Sequence, residues 1–198
     1  EHMFRQEPLL QPLFCASLGE AQVLLETSAE LFSAAIVDLN LPDAPDGEIV
    51  DLVLQYQLPC IVLSGSYNEQ RRDEMLLKGV VDYVLKGSQY SYEFAFRLLH
   101  RLQSNSQVKI LIAEDSDATR HFIQRILSSH QYQILEAQDG NEALRLLHEQ
   151  PDIDLLLVDH SMPGISGFDL VKLLRQKMKR HELIIIGLSA DTKGSLSA

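Results

Sequence analysis

Short apolar runs that turn polar at one end recur along the chain. Five of them are rich in Val, Ile and Leu and lie at residues 34–42, 60–66, 108–116, 154–163 and 183–190. Consecutive apolar residues face both sides of a strand, so such runs are typical of parallel sheets that helices cover on both faces. Segments with a helical spacing of apolar residues lie between the later runs, at 118–130, 141–149 and 168–176. Strands that alternate with helices predict an α/β doubly wound fold.

One pattern occurs twice in the chain. In the first half it is AAIVDLNLPDAPDGEIVDLV, and in the second half it is LLLVDHSMPGISGFDLVKLL. Each copy has an apolar run, an Asp, a Pro four residues later, a loop that ends in Gly, and an amphipathic segment. CIVLSG in the first half likewise matches IIGLSA in the second. A helical segment at 91–102 and a polar linker at 103–107 separate the copies. We therefore predict two domains, residues 1–104 and 105–198.

Composition excludes several classes of protein. The chain has 17 Lys and Arg against 28 Asp and Glu, a net charge of -11. Binding to nucleic acid depends on neutralising phosphates, so we expect no direct contact of this chain with nucleic acid. No apolar run reaches the roughly 18 residues of a membrane span, so no membrane contact is expected. Cys15 and Cys60 are isolated, which argues against a disulfide framework or zinc site and favours a cytoplasmic setting.

Chemically useful side chains follow three of the predicted strands in the second half. Glu114 and Asp115 end one apolar run, Asp159 ends another, and Ser189 ends a third. The carboxyl ends of parallel strands meet at one edge of a sheet, where ligands bind. Three carboxylates at such an edge repel one another, and oxygen ligands of this kind suit Mg²⁺. An Asp carboxylate beside Mg²⁺ can act as a nucleophile and form an acyl phosphate.

At these residues the second half resembles a known family. ILIAEDS, LLLVDHSMPGISG and IIGLSA are similar to the receiver domain of two-component response regulators, a flavodoxin-like domain. The order and spacing of the acidic pair, the Asp and the Ser are those of the family. The resemblance implies that Asp159 is the phosphoacceptor and that Asp115, Asp159 and the Ser161 backbone carbonyl ligate Mg²⁺. It also implies that Glu114 acts on the metal through water and that Ser189 binds the phosphoryl group.

The first half resembles the same family at different residues. By position, Asp38 corresponds to the phosphoacceptor, Ser64 to the hydroxyl, and Lys86 to the Lys whose ammonium pairs with the phosphoryl group. Tyr83 stands where the family carries its aromatic switch. Two departures weaken the match: the loop between the Pro and the Gly is one residue longer than in the second copy, and Gly87 replaces a common Pro.

The two copies are incomplete at opposite ends of the chain. No strand with an acidic pair precedes residue 9, and EHMFRQEP is typical of the end of a helix. The second copy ends at ADTKGSLSA, before the Lys that the family carries. We therefore expect two flavodoxin-like receiver domains in tandem, the first without its first strand and the second without its last. The native protein should accordingly extend in both directions.

The resemblance implies phosphorelay signal transduction in a bacterium. The phosphoryl donor would be a histidine kinase or a phosphotransfer protein, and a downstream output domain would be controlled. In this family tandem receivers often precede a cyclic di-GMP synthase of the GGDEF type. A DNA-binding output domain is one alternative, and a pseudo-receiver that binds partners without phosphorylation is another. A homodimer is compatible with the sequence, which does not determine the oligomeric state.

Two other enzyme or carrier classes fit the residues poorly. A flavodoxin-type redox protein needs a loop rich in Ser, Thr and Gly after its first strand, whereas EDSDAT is acidic and would repel the FMN phosphate. A haloacid-dehalogenase phosphatase needs a second Asp two residues after the nucleophile. Ser161 and Asn40 occupy those positions here.

Overall fold

The computed structural model describes residues 10–177 and 182–189. The chain divides into two compact units, Glu1–Leu99 and His100–Ala198. The sequence interpretations of residues 1–8 and of the stretch after Ser189 lie outside the described residues. No helix in the described part is both long enough and apolar enough to cross a bilayer.

The first unit contains a three-stranded parallel sheet of order β1–β2–β3. The middle strand is buried along its whole length because helices pack on the sheet and strands pair on either side of it. The strands are β1 (Ala35–Asp38), β2 (Cys60–Ser64) and β3 (Asp82–Leu85). The helices are α1 (Leu18–Ser28) with a 3₁₀ turn at Ala29–Leu31, α2 (Glu48–Gln55), α3 (Glu69–Lys78) and the first part of α4 (Gln89–Asn105).

The second unit contains a four-stranded parallel sheet of order β5–β4–β6–β7. Strands β4 and β6 are neighbours although β5 lies between them in sequence, so the order reverses at β4, which is the mark of a doubly wound sheet with helical crossovers. The strands are β4 (Lys109–Ala113), β5 (Gln133–Ala137), β6 (Leu155–Asp159) and β7 (Ile184–Leu188). The helices are α5 (Asp117–Ser129), α6 (Gly140–Glu149) and α7 (Gly167–Lys177).

The parallel α/β architecture predicted from the apolar runs is confirmed in both units. Three details differ from the sequence interpretation. Strand β5 was not among the predicted runs, because it lies at the sheet edge and only its last residue is buried. Helix α4 continues through part of the predicted 103–107 linker and spans the division between the two units. The helical spacing of apolar residues at 118–130 does not mark a buried face, since Phe122 and Ile126 of α5 are 50% and 43% exposed.

Side chains at the ends of the helices explain where several of them begin. Ser17, Asn68, Ser116 and Asp139 each accept a hydrogen bond from a backbone N–H in the first turn of the helix that follows. These bonds satisfy donors that have no partner within the helix. Helix α5 therefore begins directly after the acidic pair, and this places Glu114 and Asp115 in the turn between β4 and α5.

Candidate functional site

Strand register brings the polar residues of the second unit to one edge of its sheet. Ala113, the last residue of β4, pairs with Val158 of β6, and Asp159 pairs with Leu188 of β7. Glu114 therefore follows β4 beside the end of β6, where Asp159 lies. Ser189 follows Leu188 by one residue on the other side of Asp159. The sheet thus places the predicted acidic pair, acceptor and hydroxyl on adjacent strand ends.

Three carboxylates gather at this edge. Glu114, Asp115 and Asp159 each offer an oxygen, and these oxygens lie within 4.8 Å of one another. Glu114 is buried, Asp159 is half-buried and Asp115 is exposed. Among residues 10–177 and 182–189 this is the one group of three or more potential metal-ligating side chains. Three of the four predicted metal residues of the second unit, the carboxylates, are therefore brought together.

Backbone N–H groups orient two of these carboxylates. The Ser116 N–H donates to Glu114 Oε1 at 3.1 Å, and the Ser161 N–H donates to Asp159 Oδ2 at 2.9 Å. Because each bond uses one oxygen of its carboxylate, the other oxygen is left for a ligand. Ser161 itself is exposed in the loop after β6.

The electrostatics of the cluster fit a divalent cation. Burial raises the pKa of Glu114, and the charges of Asp159 and Asp115 raise it further; the bond from Ser116 and the charge of Arg120 act in the opposite direction. Carboxylates that repel one another in this way gain from a cation between them. An all-oxygen site with few protein ligands suits Mg²⁺, which retains several waters. Glu114, Asp115 and Asp159 therefore fit the predicted metal.

Close packing holds the start of α7 against the end of β6, which carries Asp159. A Cβ at Gly167 would lie 2.1 Å from the backbone oxygen of Asp159, so only glycine allows this approach. The Gly167 N–H donates to the His160 carbonyl at 3.1 Å, and the His160 N–H donates to the Leu188 carbonyl at 3.1 Å. The backbone around Asp159 is consequently tied to both α7 and β7.

In the first unit, three of the predicted site residues also lie at one sheet edge. Asp38 ends β1, Ser64 ends β2, and Lys86 directly follows β3. The Lys86 ammonium forms an ion pair with Asp38 Oδ2, and the Asn40 N–H donates to Asp38 Oδ1 at 3.2 Å. The Lys86 N–H also donates to the Ser64 carbonyl at 2.7 Å. The described part of this unit contains no acidic cluster like that of the second unit.

Two hydroxyls of the first unit share one acceptor. Ser64 Oγ donates to the Ser66 carbonyl at 2.9 Å, and the Tyr83 hydroxyl donates to the same oxygen at 3.1 Å. Ser64 and Tyr83 are both buried. The loop after β2 is therefore linked to the predicted phosphoryl-binding hydroxyl and to the predicted aromatic switch. A sequence pattern contains no signal for this shared carbonyl.

Sequence reasoning missed Arg120, which lies next to the acidic cluster. It is the one buried residue of α5, with 4% of its surface exposed. Its Nη1 donates to the Glu114 carbonyl at 2.8 Å, and its Nε donates to Glu136 Oε2 at 3.1 Å. The signal available in the sequence was a basic residue among the apolar positions of α5, one turn after the acidic pair.

Comparison with known proteins agrees with this geometry. The family model described as the response regulator receiver domain matches residues 110–197. The chemotaxis protein CheY1 of Helicobacter pylori is 35% identical over 85 residues, which are 42% of this chain and 68% of CheY1. The chain belongs to the response regulator receiver family. The receiver domain matched by the family model includes Glu114, Asp115, Asp159 and Ser189.

Other relatives of the receiver domain are longer than the matched region. The rice response regulator ORR5 is 28% identical over 82 residues, or 41% of this chain and 61% of that protein. The sensor kinase/phosphatase CqsS of Vibrio cholerae is 32% identical over 90 residues, or 45% of this chain and 13% of CqsS. The chain thus spans about three fifths of ORR5 and a small part of CqsS.

Two solved structures resemble the chain over nearly all of its length. A two-component system response regulator/GGDEF domain protein superimposes with a TM-score of 0.84 at 37% identity, covering 99% of this chain and 79% of that one. A second protein described in similar terms has a TM-score of 0.79 at 38% identity, with coverages of 92% and 73%. The likeness to these two proteins therefore includes the first unit, which the family model does not match.

Proposed function

We propose that the receiver domain of the second unit accepts a phosphoryl group on Asp159. The observation that carries this proposal is the cluster of Glu114, Asp115 and Asp159, whose carboxylate oxygens lie within 4.8 Å of one another at the carboxyl edge of a parallel sheet. Structural ion networks also gather charged groups, but they pair opposite charges. Three carboxylates brought together are instead typical of a cation site for phosphoryl transfer.

The proposed reaction uses Asp159 as a nucleophile. An oxygen of its carboxylate attacks the phosphorus of a phosphohistidine on a kinase or phosphotransfer protein. The phosphorus–oxygen bond forms as the phosphorus–nitrogen bond breaks, and the imidazole leaves in its neutral form with a proton taken from water. The Ser161 N–H holds Asp159 Oδ2 at 2.9 Å and leaves the other oxygen to react. Ser189, one residue beyond the strand partner of Asp159, would bind a phosphoryl oxygen.

Glu114, Asp115, Asp159 and the Ser161 carbonyl are the residues that would hold Mg²⁺, with Glu114 acting through water. When bound, the ion neutralises charge on the transferring phosphoryl group. The chain itself supplies the orientation, since Ser116 and Ser161 fix the Glu114 and Asp159 carboxylates through their N–H groups. The turn between β4 and α5 supplies both members of the acidic pair.

For the first unit we propose a second receiver domain with Asp38 as its acceptor. The strand registers support this: Asp38 pairs with Leu63 just as Asp159 pairs with Leu188, so Ser64 and Ser189 have the same position relative to their acceptors. Lys86 is already paired with the Asp38 carboxylate and would pair with a phosphoryl group attached there. Ser64 would turn from the Ser66 carbonyl to that group, and Tyr83 would respond through the same carbonyl.

A pseudo-receiver that acts without phosphorylation is the second candidate for the first unit. The observation that favours it is the engagement of both Asp38 oxygens, one by Lys86 and one by the Asn40 N–H. The described part of the unit also lacks an acidic cluster. In this alternative the Asp38–Lys86 ion pair is a permanent structural element of a partner-binding domain.

Phosphoryl labelling of the full-length protein tests both proposals. With a cognate histidine kinase or acetyl phosphate as donor, Asp159→Asn should lose the label on the second unit, and Asp38→Asn should lose the label on the first. Asp152→Asn is the matched control, because Asp152 lies at the opposite end of the sheet in an ion pair with Lys109. Wild-type labelling of the second unit in Asp159→Asn would overturn the first proposal. Absence of label on the first unit in the wild-type protein would favour the pseudo-receiver.

We also propose that the phosphorylated chain controls an output domain that synthesises cyclic di-GMP. The support is the likeness, across both units, to two proteins described as response regulator/GGDEF domain proteins. The setting would be the cytoplasm, and a homodimer would be compatible with this function. Beryllofluoride, which mimics the phosphoryl group, should increase cyclic di-GMP formation from GTP by the full-length protein. A protein with no such activity and with specific DNA binding would establish the DNA-binding alternative.

A further inference from the structure

Arg120 makes contacts that converge on the turn carrying the acidic pair. Its guanidinium joins three elements: the end of β4 through the Glu114 carbonyl, the first turn of α5 through Asp117, and β5 through Glu136. A buried charge is costly unless it is fully paired, and the planar fork of donors in arginine can meet several acceptors at fixed angles. Lysine, with one ammonium, cannot reproduce this arrangement.

The hydrogen bond from Arg120 to the Glu114 carbonyl restrains the backbone of both Glu114 and Asp115. That carbonyl and the Asp115 N–H belong to the same planar peptide unit, so fixing one fixes the plane between the two residues. On the other side, the Glu114 N–H donates to the Ala137 carbonyl at 3.1 Å. The backbone of Glu114 is therefore held from both directions, and with it the directions in which the two side chains leave the chain.

The acidic cluster needs such a restraint. Carboxylates within 4.8 Å of one another repel and tend to move apart. We propose, on the basis of the function proposed above, that Arg120 is a positioning residue, which through the Glu114 carbonyl keeps the acidic pair in the geometry that binds the divalent cation. In this role it would contact neither the cation nor the phosphoryl group. Arg120 is the one buried residue of α5, so its burial is not a by-product of a buried apolar face of that helix.

The sign of the effect on cation binding distinguishes this role from a simple charge effect. A cation such as Arg120 near an acidic site repels a divalent ion, so by charge alone its removal should strengthen binding. Loss of positioning should weaken binding instead. Substitution of groups that support metal ligands typically weakens metal affinity by about 10–100-fold.

The test measures Mn²⁺ binding to the chain by electron paramagnetic resonance, with Mg²⁺ as competitor. Arg120→Met removes the charge and all donors, whereas Arg120→Lys keeps the charge and loses the fork. Both should weaken Mn²⁺ binding by about tenfold or more. Glu136→Gln is the matched control: it removes one ion pair of Arg120 and leaves the bond to the Glu114 carbonyl, so affinity should change by less than about threefold.

Each outcome has a defined meaning. A Mn²⁺ affinity of Arg120→Met or Arg120→Lys equal to or higher than that of the wild type would overturn the proposal. The proposal would also fail if Glu136→Gln lost as much Mn²⁺ affinity as the Arg120 variants. Circular dichroism in EDTA checks folding; if Arg120→Met is unfolded, Arg120→Lys decides. A wild-type chain that binds no Mn²⁺ or Mg²⁺ would instead overturn the proposed metal site itself, so the two failures are distinguishable.

Discussion

At the scale of single residues, the carboxylates of the candidate site repel one another, and neighbouring hydrogen bonds and charges oppose that repulsion. Burial and two neighbouring carboxylates raise the pKa of Glu114, while the Ser116 N–H and the charge of Arg120 oppose that rise. The cluster is thus less favourable without a cation than three separate carboxylates would be. A fold that retains such a cluster loses some stability at the site that it uses for function.

The repulsion leads to a prediction for Asp115→Asn. Removing one of the three charges should raise the unfolding temperature in EDTA by a few degrees, the shift that about 0.5–1 kcal/mol produces in a domain of this size. The same substitution should abolish the additional stability that Mg²⁺ provides. Thermal unfolding with EDTA and with Mg²⁺ measures both effects. Asp152→Asn is the control: it breaks the ion pair with Lys109 at 2.6 Å and should not raise the unfolding temperature. A lower unfolding temperature for Asp115→Asn than for the wild type in EDTA would contradict the argument.

The two thiols should differ sharply in reactivity. Cys60 is fully buried in β2, and burial raises its pKa to about 12. Cys15 is partly exposed, with a pKa raised by burial and by the charge of Glu20. Because the thiolate is the reactive form, we expect an aromatic disulfide reagent at pH 8 to modify Cys15 in the native protein and Cys60 only on unfolding. Cys15→Ser should abolish the reaction of the native protein with the reagent. Fast modification of both thiols in the native wild-type protein would contradict this prediction.

At the scale of elements, short connections between strand ends and helix starts build the site. The turn from β4 to α5 holds the acidic pair, and α7 begins against the backbone of Asp159. In the first unit the loop after β1 is tied to α1, since Asp43 accepts hydrogen bonds from the Leu18 and Gly19 N–H groups at 2.8 and 3.0 Å. The loops that follow β1 and β6 are therefore anchored to helices.

Gly167→Ala should disturb the site through the backbone. The added Cβ would lie 2.1 Å from the Asp159 oxygen, so α7 or β6 must shift. We expect a loss of about 2 kcal/mol or more in the free energy of unfolding of the second unit, together with weaker phosphorylation of Asp159. Gly187→Ala in β7 is the control, because a Cβ there meets no atom within 4 Å. Urea unfolding measures the difference, and equal stability of the two variants would refute the steric argument.

Asp43 should make the start of α1 sensitive to pH. Hydrogen bonds from the Leu18 and Gly19 N–H groups hold the pKa of Asp43 below its usual value. A lowered pKa in the folded state gives a stabilisation that is present above about pH 4 and is lost as the pH falls through the lowered pKa. Hydrogen exchange at Leu18 and Gly19 should therefore be slow at pH 6 in the wild type and faster in Asp43→Asn. Equal protection of these two amides from exchange in the wild type and Asp43→Asn would show that the hydrogen bonds to Asp43 do not stabilise the start of α1.

At the scale of the whole molecule, the chain consists of two units with different chemistry at corresponding strand ends. The described part of the second unit holds the carboxylate cluster, whereas the first holds the Asp38–Lys86 ion pair. The formal charge of -11 attracts any divalent cation to the surface, so specific binding has to be separated from general screening. The separation is possible because only one unit should respond specifically.

Calorimetry should resolve this difference between the units. We expect Mg²⁺ to raise the unfolding temperature of the second unit and to leave that of the first nearly unchanged. At a Mg²⁺ concentration 100 times the Kd, binding to the native state adds about 2.7 kcal/mol to the free energy of unfolding. Asp159→Asn should remove the shift, and NaCl at equal ionic strength should not reproduce it. A shift that survives in Asp159→Asn would contradict the assignment, whereas a Mg²⁺-dependent shift of the first unit would indicate a second cation site beside Asp38.

Much of the architecture could be predicted from local patterns. Apolar runs followed by an Asp or a Ser identify strands whose carboxyl ends carry polar groups, because burial on both faces requires consecutive apolar residues. The repeat of that pattern in the two halves predicts matching registers, and Asp38–Leu63 and Asp159–Leu188 do match. Parallel strands also explain why residues far apart in sequence, such as Asp115 and Asp159, meet at one edge.

The tertiary structure alone decided which groups contact each other at that edge. The edge strand β5 has little buried apolar surface, so its sequence carries a weak signal. Arg120 is buried where its guanidinium meets Glu136 of β5 and the Glu114 carbonyl, and that meeting depends on packing between elements. The Ser66 carbonyl that Ser64 and Tyr83 share is equally absent from any sequence pattern. The physical reason is that a periodic pattern records burial and direction along one element. Hydrogen bonds and charge pairs depend on the register and packing between elements.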